Sequence, residues 1–422
     1  MKTMRRTKLK DWFEFYRIAC PICGHVGGCM QHKEGDRVAC IRTTSEYPFS
    51  KNSALPSYLH FLKGNKKRKK IQTNEVALNS EKKADNNKLH RVYKSMLDKL
   101  ELSDEHYQHL ISKERGLTDA QIQAREYRSF PDKPWNIVKE IQKELNIDDF
   151  TGIPGFYETT GKYGKYWTIA GRNGILLPYR NIKNQIIGFQ YRVDNPPNAV
   201  HVKENREGLI ARIKEQPNLV QIVFEGEILY EQRLSLNETV SVFSKDSNQL
   251  LGWVTLKKGN RYFWLSSANK EKGTGSGDPA PVHISIPTKQ LVAWNSGEVI
   301  KRKKVWLSEG PLKCDIATEY MVKLMGEEEL DYYGSTFIAL PGVNSWQLIL
   351  PVLKAMEVEE INICFDADVV SNIHVKKPLI ACLQKLRELK YRVNMVIWNG
   401  DDGKGIDDLL INKKIPQIKS LF

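Results

Sequence analysis

Three carboxylates stand where two apolar strands end. Val305-Trp306-Leu307-Ser308 runs into Glu309, and further along Ile361-Asn362-Ile363-Cys364-Phe365 runs into Asp366-Ala367-Asp368. Oxygen ligands of this kind suit a hard divalent cation such as Mg²⁺ or Mn²⁺, which takes one or two carboxylates and leaves positions for phosphate oxygens. The chemistry this points to is phosphoryl transfer. An acid at the end of a strand also serves as the cap of the next helix, so the decision falls to the elements around it.

The pattern predicts strands at 305–308, 335–340, 361–365 and 391–398, with helices at 312–325, 346–357 and 375–390 between them. Strands alternating with helices imply a parallel sheet with right-handed crossovers, and such sheets gather ligands at the carboxyl ends of their strands. Glu309, Asp366 and Asp368 all fall at that edge. After the last strand, Asp401-Asp402-Gly403-Lys404-Gly405-Ile406-Asp407-Asp408 brings Lys404 and further acids to the same rim.

These blocks, in this order on a βα framework, resemble the TOPRIM domain shared by bacterial and phage primases, topoisomerases and some nucleases. Ser308-Glu309-Gly310-Pro311-Leu312-Lys313, Ala339-Leu340-Pro341-Gly342-Val343-Asn344-Ser345-Trp346 and Lys404-Gly405-Ile406-Asp407-Asp408 look like the primase-like proteins of plasmids, phages and other mobile elements. The resemblance implies that Glu309 is an acid/base or metal ligand and that Asp366 and Asp368 hold Mg²⁺ or Mn²⁺. Either Asp407 or Asp408 completes the acidic set, and Lys313, Lys404 or Arg261 neutralises phosphate.

Residues 174–193 read as a hairpin turning at Lys183-Asn184 and carrying Arg180 and Arg192. The segment is similar to the one that precedes TOPRIM in replicative primases. Arg261-Tyr262-Phe263-Trp264-Leu265-Ser266-Ser267, followed by Gly273-Thr274-Gly275-Ser276-Gly277, looks like that family's template-contacting and nucleotide-contacting strand. A cation, aromatics, hydroxyls and a glycine-rich turn can together meet phosphates and base faces. Replicative primases usually open this strand with lysine, whereas Arg261 supplies charge in forked geometry. The competing reading is a buried strand with a flexible turn. An insertion at about 195–252 has β-type alternation and no polar constellation to which a function attaches.

At the N-terminal end Cys20-Pro21-Ile22-Cys23 forms a CxxC knuckle, and Cys29 and Cys40 flank a predicted hairpin with Glu34-Gly35 at its turn. That register places Cys29 opposite Cys40, so both thiolates share a face. The expected site is a structural zinc held by Cys20, Cys23, Cys29 and Cys40, with His25 or His32 as the alternative ligand. Beside it, Lys2, Arg5, Arg6, Lys8 and Lys10 precede Trp12, Phe13, Phe15 and Tyr16, aromatics that either stack on single-stranded bases or pack the zinc module.

The net charge of +14 suits a polyanionic partner. A lysine-rich stretch at 50–88, including Lys66-Lys67-Arg68-Lys69-Lys70, is expected to be a tether with weak nucleic-acid affinity. Residues 89–150 read as helical, with Ser103 as a cap and His106 and His109 on a partly exposed helix face. No apolar run approaches the length of a membrane span, and Cys314, Cys364 and Cys382 fall at apparently buried positions, so a cytoplasmic protein is expected. There is no G-x-x-x-x-G-K-S/T loop, which removes ATP-driven unwinding from this chain and points to a separate helicase.

The expected architecture is α/β: a zinc ribbon at 1–49, a linker at 50–88, a helical region at 89–150, an α+β platform at 151–300 and a TOPRIM-like parallel sheet with flanking helices at 301–422. The expected function is a DNA primase acting on single-stranded DNA with nucleoside triphosphates. A TOPRIM nuclease and a non-catalytic single-strand-binding replication module are the alternatives.

Overall fold

The computed structural model describes residues 4–7, 9–45, 47–50, 57–62, 81–277, 280–366 and 373–422. The chain divides into two units, each gathered from separated segments. The first comprises Met1–Lys83, Phe150–Ala170 and Val193–Ser276; the second comprises Ala84–Asp149, Gly171–Arg192 and Gly277–Phe422.

Alternation along short apolar runs builds the main sheet of the second unit. Its strands lie in the order His283–Ser285, Phe337–Leu340, Lys304–Glu309, Glu360–Ile363, Arg392–Ile397 and Gln417–Ser420. The four central strands pair in parallel, and each edge strand is antiparallel. Val305 and Leu307 point to one side, where Ile338, Ile361, Ile363 and Val393 meet Ile349, Leu353 and Leu386 from the helices Ile349–Met356 and Ile373–Glu388. Trp306 points to the other, with Phe337, Ala339 and Cys364, against the helices Pro311–Leu324 and Ile406–Ile411. Burial on both faces explains why these strands read as unbroken apolar runs.

Two elements of this sheet region escape the sequence pattern. The helix Glu327–Tyr333 buries no residue and is held instead by its acidic first turn, with Glu329 accepting from the Gly326 N–H at 2.9 Å. The edge strand Gln417–Ser420 is almost wholly exposed on its outer side and lacks a clear apolar alternation. Among the described residues the other sheets contain antiparallel pairs, and outside the C-terminal sheet a parallel bridge joins Thr44 to His201, so the described chain is mixed α/β.

The second unit also holds the helices Asn86–Asp98, Asp104–Ile111, Asp119–Arg125 and Pro134–Leu145. Ser103 caps the second as expected, and Thr118 with Gln121 forms a capping box on the third. The predicted hairpin is present as Gly174–Arg180 and Ile186–Val193, its turn closed by Asn181, whose side chain accepts from the N–H groups of Lys183 and Gln185.

In the first unit an antiparallel sheet carries the zinc-type knuckle, and the strand Ser57–Phe61 adds to it by pairing with Arg37–Cys40. That stretch was expected to be tether; Tyr58 and Leu59 alternate into the sheet instead. The Lys66–Lys70 run lies outside the described residues. The insertion forms two three-stranded antiparallel sheets around Val200, Val202, Ala211, Ile222 and Val254. Its strand Leu209–Glu215 is apolar on both sides: Leu209 and Ala211 face that core, while Ile210 packs with Val223 against Cys20 and Ile22. Arg212 donates to the Pro21 carbonyl at 3.3 Å, and Thr44 exchanges backbone hydrogen bonds with Val200 and Val202, each at 3.2 Å. The insertion is therefore the seat of the cysteine knuckle.

Candidate metal centres and nucleotide site

The strands Met30–His32 and Arg37–Cys40 pair Met30 with Ala39 and Gln31 with Val38, a register that puts Cys29 across from Cys40 as expected. The sulfurs of Cys20, Cys23, Cys29 and Cys40 all lie within 4.8 Å of one another, and all four residues are buried. Cys23 to Cys29 and Cys29 to Cys40 are each 3.7 Å between Sγ atoms, close to the spacing of about 3.8 Å set by tetrahedral Zn–S bonds of about 2.3 Å. Four soft donors at that separation fit zinc. The surroundings suit thiolates: the N–H groups of Arg42 and Thr43 donate to Cys40 Sγ, and the Arg42 guanidinium reaches Cys29 Sγ at 3.6 Å. Hydrogen bonds among the four thiols couple them, lowering the Cys23 pKa and raising that of Cys20.

Neither alternative histidine joins the cluster. His25 Nδ1 lies 2.8 Å from the Cys23 carbonyl, and His32 Nε2 lies 3.1 Å from Arg37. His32 falls instead in a grouping with Glu34 and Asp36 at the hairpin turn, where Arg37 pairs with Asp36 at 3.1 Å.

The carboxyl edge of the parallel sheet brings together Lys313 of the helix Pro311–Leu324, Asp366 beyond the strand Glu360–Ile363 and Asp407 of the helix Ile406–Ile411, with Glu309 at the end of the adjoining strand. Glu309 ends its strand with Oε1 accepting the Val343 N–H at 2.5 Å. One helical turn on, the Lys313 ammonium pairs with Asp366, beyond the next parallel strand. Burial works against the Lys313 charge, but attraction from Asp366 and then Asp407 raises its pKa above the usual value. Gly405 lies close against this pair: a Cβ at that position would lie 2.5 Å from Asp407 Oδ1 and 3.2 Å from Lys313 Nζ. Lys313 thus stands between two carboxylates in the manner of a bound cation.

The structure separates Asp407 from Asp408. Asp408 accepts the Gly405 N–H at 3.2 Å and caps its own helix, whereas Asp407 is buried and 3.5 Å from Arg115. Burial raises the Asp407 pKa, with Lys313 and Arg115 opposing it. Lys404 is exposed on the same loop. Asp368 lies outside the described residues.

Arg115, within the 89–150 region, brings its guanidinium to the buried Asp407 carboxylate. Burial, then the charges of Arg192 and Arg115, lower the His109 pKa to about 4, so the ring is neutral near pH 7. His109 Nε2 and Arg115 Nε are buried without a hydrogen-bond partner among the described residues.

Other expected contact residues are committed elsewhere. Arg180 is buried against Glu126 at 2.5 Å and Asn184 at 3.0 Å. Ser267 is buried, donating to Phe156 O at 2.6 Å and accepting from the Thr274 N–H at 3.0 Å, so it closes the glycine-rich turn instead of facing a ligand. Tyr262 is exposed, and Arg261 and Ser266 are half-buried. His106 is buried rather than on an open helix face, with Nδ1 2.7 Å from Ser129 Oγ. Trp12 and Phe15 pack inside the knuckle module, leaving Tyr16 exposed.

Sequence reasoning also missed Asp315. It accepts from Tyr127 at 2.6 Å and Ser285 at 2.5 Å, lies 3.1 Å from His283, and faces Arg125, which pairs with Glu319 at 2.6 Å. Only the i, i+4 placement of Asp315 and Glu319 hinted at this buried network.

Residues 329–416 match a family model described as a domain of unknown function (DUF3854). The chain is similar to the RNA polymerase domain of Mycobacterium tuberculosis primase DnaG, with 12% identity, a TM-score of 0.42 and coverage of 77% of this chain and 79% of that one. It is similar to the zinc-binding and RNA polymerase domains of Aquifex aeolicus primase, with 11% identity, a TM-score of 0.42 and coverage of 99% and 81%. A DNA primase domain from Pseudomonas aeruginosa gives 12% identity, a TM-score of 0.41 and 79% coverage of both chains. No curated protein matches the sequence. These likenesses are loose, and no residue role is carried across from them.

Proposed function

We infer that the chain is a DNA primase of mobile-element type, joining nucleotides on a single-stranded DNA template. The observation that carries this reading is the gathering of Asp366 and Asp407 about the Lys313 ammonium at the carboxyl edge of a parallel sheet, with Glu309 on the adjoining strand end. Asp366, Asp368 and Asp407 would hold Mg²⁺ or Mn²⁺, hard cations suited to an all-oxygen donor set. When bound, such an ion supplies charge stabilisation for a triphosphate and lowers the pKa of an attacking hydroxyl. Glu309, oriented by the Val343 N–H, takes the proton of the 3′-hydroxyl as its oxygen attacks the α-phosphorus. Lys313, Lys404, Arg115 and Arg192 bind the phosphates and neutralise the departing pyrophosphate. The zinc module carries no step of this chemistry; zinc on its four thiolates fixes the fold of the knuckle. Unwinding falls to a separate helicase.

End-labelled single-stranded DNA incubated with unlabelled nucleotides and Mg²⁺ or Mn²⁺ separates the readings. The primase reading expects the labelled template to stay intact while short complementary products form. Acid-dependent shortening of the label would replace it with the nuclease, and binding with neither outcome would replace it with a non-catalytic module.

A further inference from the structure

The geometry points to a tyrosine track in the first unit, led by the hairpin of Phe156–Gly161 and Gly164–Ile169, as a binding surface for single-stranded nucleic acid. The two faces of this hairpin differ. Phe156 and Trp167 turn inward onto Phe150, with ring centroids 4.9 and 5.6 Å away. Thr159 pairs with Tyr166 and Tyr157 with Thr168, so Tyr157 and Tyr166 share the outer face by alternation. At the tip, Tyr163 is 94% exposed, with Lys162 Nζ 5.5 Å from its ring. Gly161 lies beneath Tyr166, where a Cβ would come within 2.8 Å of the ring.

The track continues from the tip toward the base of the hairpin. Lys270 lies 5.7 Å from the Tyr157 ring. Tyr157 is half-buried, and the charges of Arg5 and Glu14 from the knuckle module act on its hydroxyl in opposite senses. Arg5 in turn lies 5.8 Å from the ring of exposed Tyr16, with Arg17 at 5.4 Å. Of the nearby acids, Glu158 is held by Lys165 and Lys272, each at 3.0 Å, Glu271 by Lys165 at 2.9 Å, and Glu14 accepts the Gly28 N–H at 2.8 Å. Exposed rings offer base faces something to stack on, and the interleaved cations track a phosphate backbone. A duplex, whose bases are already stacked, gains little from the rings. The track does not rest on the primase reading, since it uses none of the carboxyl-edge residues.

The test is fluorescence anisotropy of labelled oligothymidylate with the full chain, without added magnesium. Tyr163→Ala should weaken binding about tenfold and Tyr163→Phe less than about twofold. Lys162→Ala should flatten the slope of log affinity against log salt by about 0.7. Tyr332→Ala serves as control, removing a tyrosine that is 65% exposed in the other unit with Lys304 at 4.5 Å, and should change nothing. Asp366→Asn should leave this binding intact even where it abolishes synthesis. Wild-type affinity in Tyr163→Ala and in Tyr163→Ala/Tyr166→Ala, or an equal loss on blunt duplex, would overturn the track.

Discussion

Asp408 is committed to the helix it starts, closing on the Gly405 N–H, while Asp407 is buried beside Lys313 and Arg115. The sequence offers both as third acid, and nothing in Lys404-Gly405-Ile406-Asp407-Asp408 separates them, because a capping carboxylate and a ligand carboxylate are the same residue type one position apart. Asp407→Asn should therefore lower nucleotide incorporation on the order of 100-fold. Asp408→Ala should cost about 1 kcal/mol of stability and keep most of the activity, as read by thermal melts alongside turnover. Asp315 makes a different prediction. Burial would raise its pKa, but Arg125, His283 and Ser285 outweigh burial and hold it below the carboxylate range. Its stabilisation is thus complete above the unfolded value of about 3.9 and is lost as pH falls toward the depressed folded value. Melting of the second unit should be insensitive to this group from pH 7 to 5 and decline below about pH 4. Asp315→Asn should destabilise by about 3 kcal/mol at pH 7 by leaving Arg125 short of a partner, and should remove part of the acid decline.

At the scale of elements, period decided what could be read. The strands Lys304–Glu309, Phe337–Leu340 and Glu360–Ile363 announce themselves as apolar runs because both faces are buried, and the turn at Glu34-Gly35 sets the pairing that brings Cys29 to Cys40. The role of the insertion was illegible. Ile210 and Val223 are two apolar residues on the outer side of ordinary-looking strands, and their partners, Cys20 and Ile22, lie far away in sequence. Long-range packing of that kind leaves no local period to read. Ile210→Ala should cost about 2–4 kcal/mol, and it should speed zinc loss to a colorimetric chelator relative to wild type. Cys29→Ser should abolish stoichiometric zinc. Unchanged release from Ile210→Ala would mean that the knuckle holds its metal without the insertion beneath it.

At the scale of the whole molecule, the charge of +14 suits an anionic partner but does not say where one would bind. Basic residues occur on both units: beside Asp407 they are Arg115 and Lys313, and on the hairpin of the first unit Lys162 and Lys270 lie against tyrosine rings. Composition counts these alike, and only folding separates cations paired with a buried carboxylate from cations beside open rings. Among the described residues no helix is long and apolar enough to cross a membrane. The central claim is that the carboxyl-edge acids join nucleotides on a template. Its most direct test is incorporation of labelled nucleoside triphosphates on single-stranded DNA of defined sequence, with Mg²⁺ or Mn²⁺, by wild type and Asp366→Asn. The account predicts short products complementary to the template from wild type and none from Asp366→Asn. Equal incorporation by both proteins, or template cleavage in place of synthesis, would contradict it.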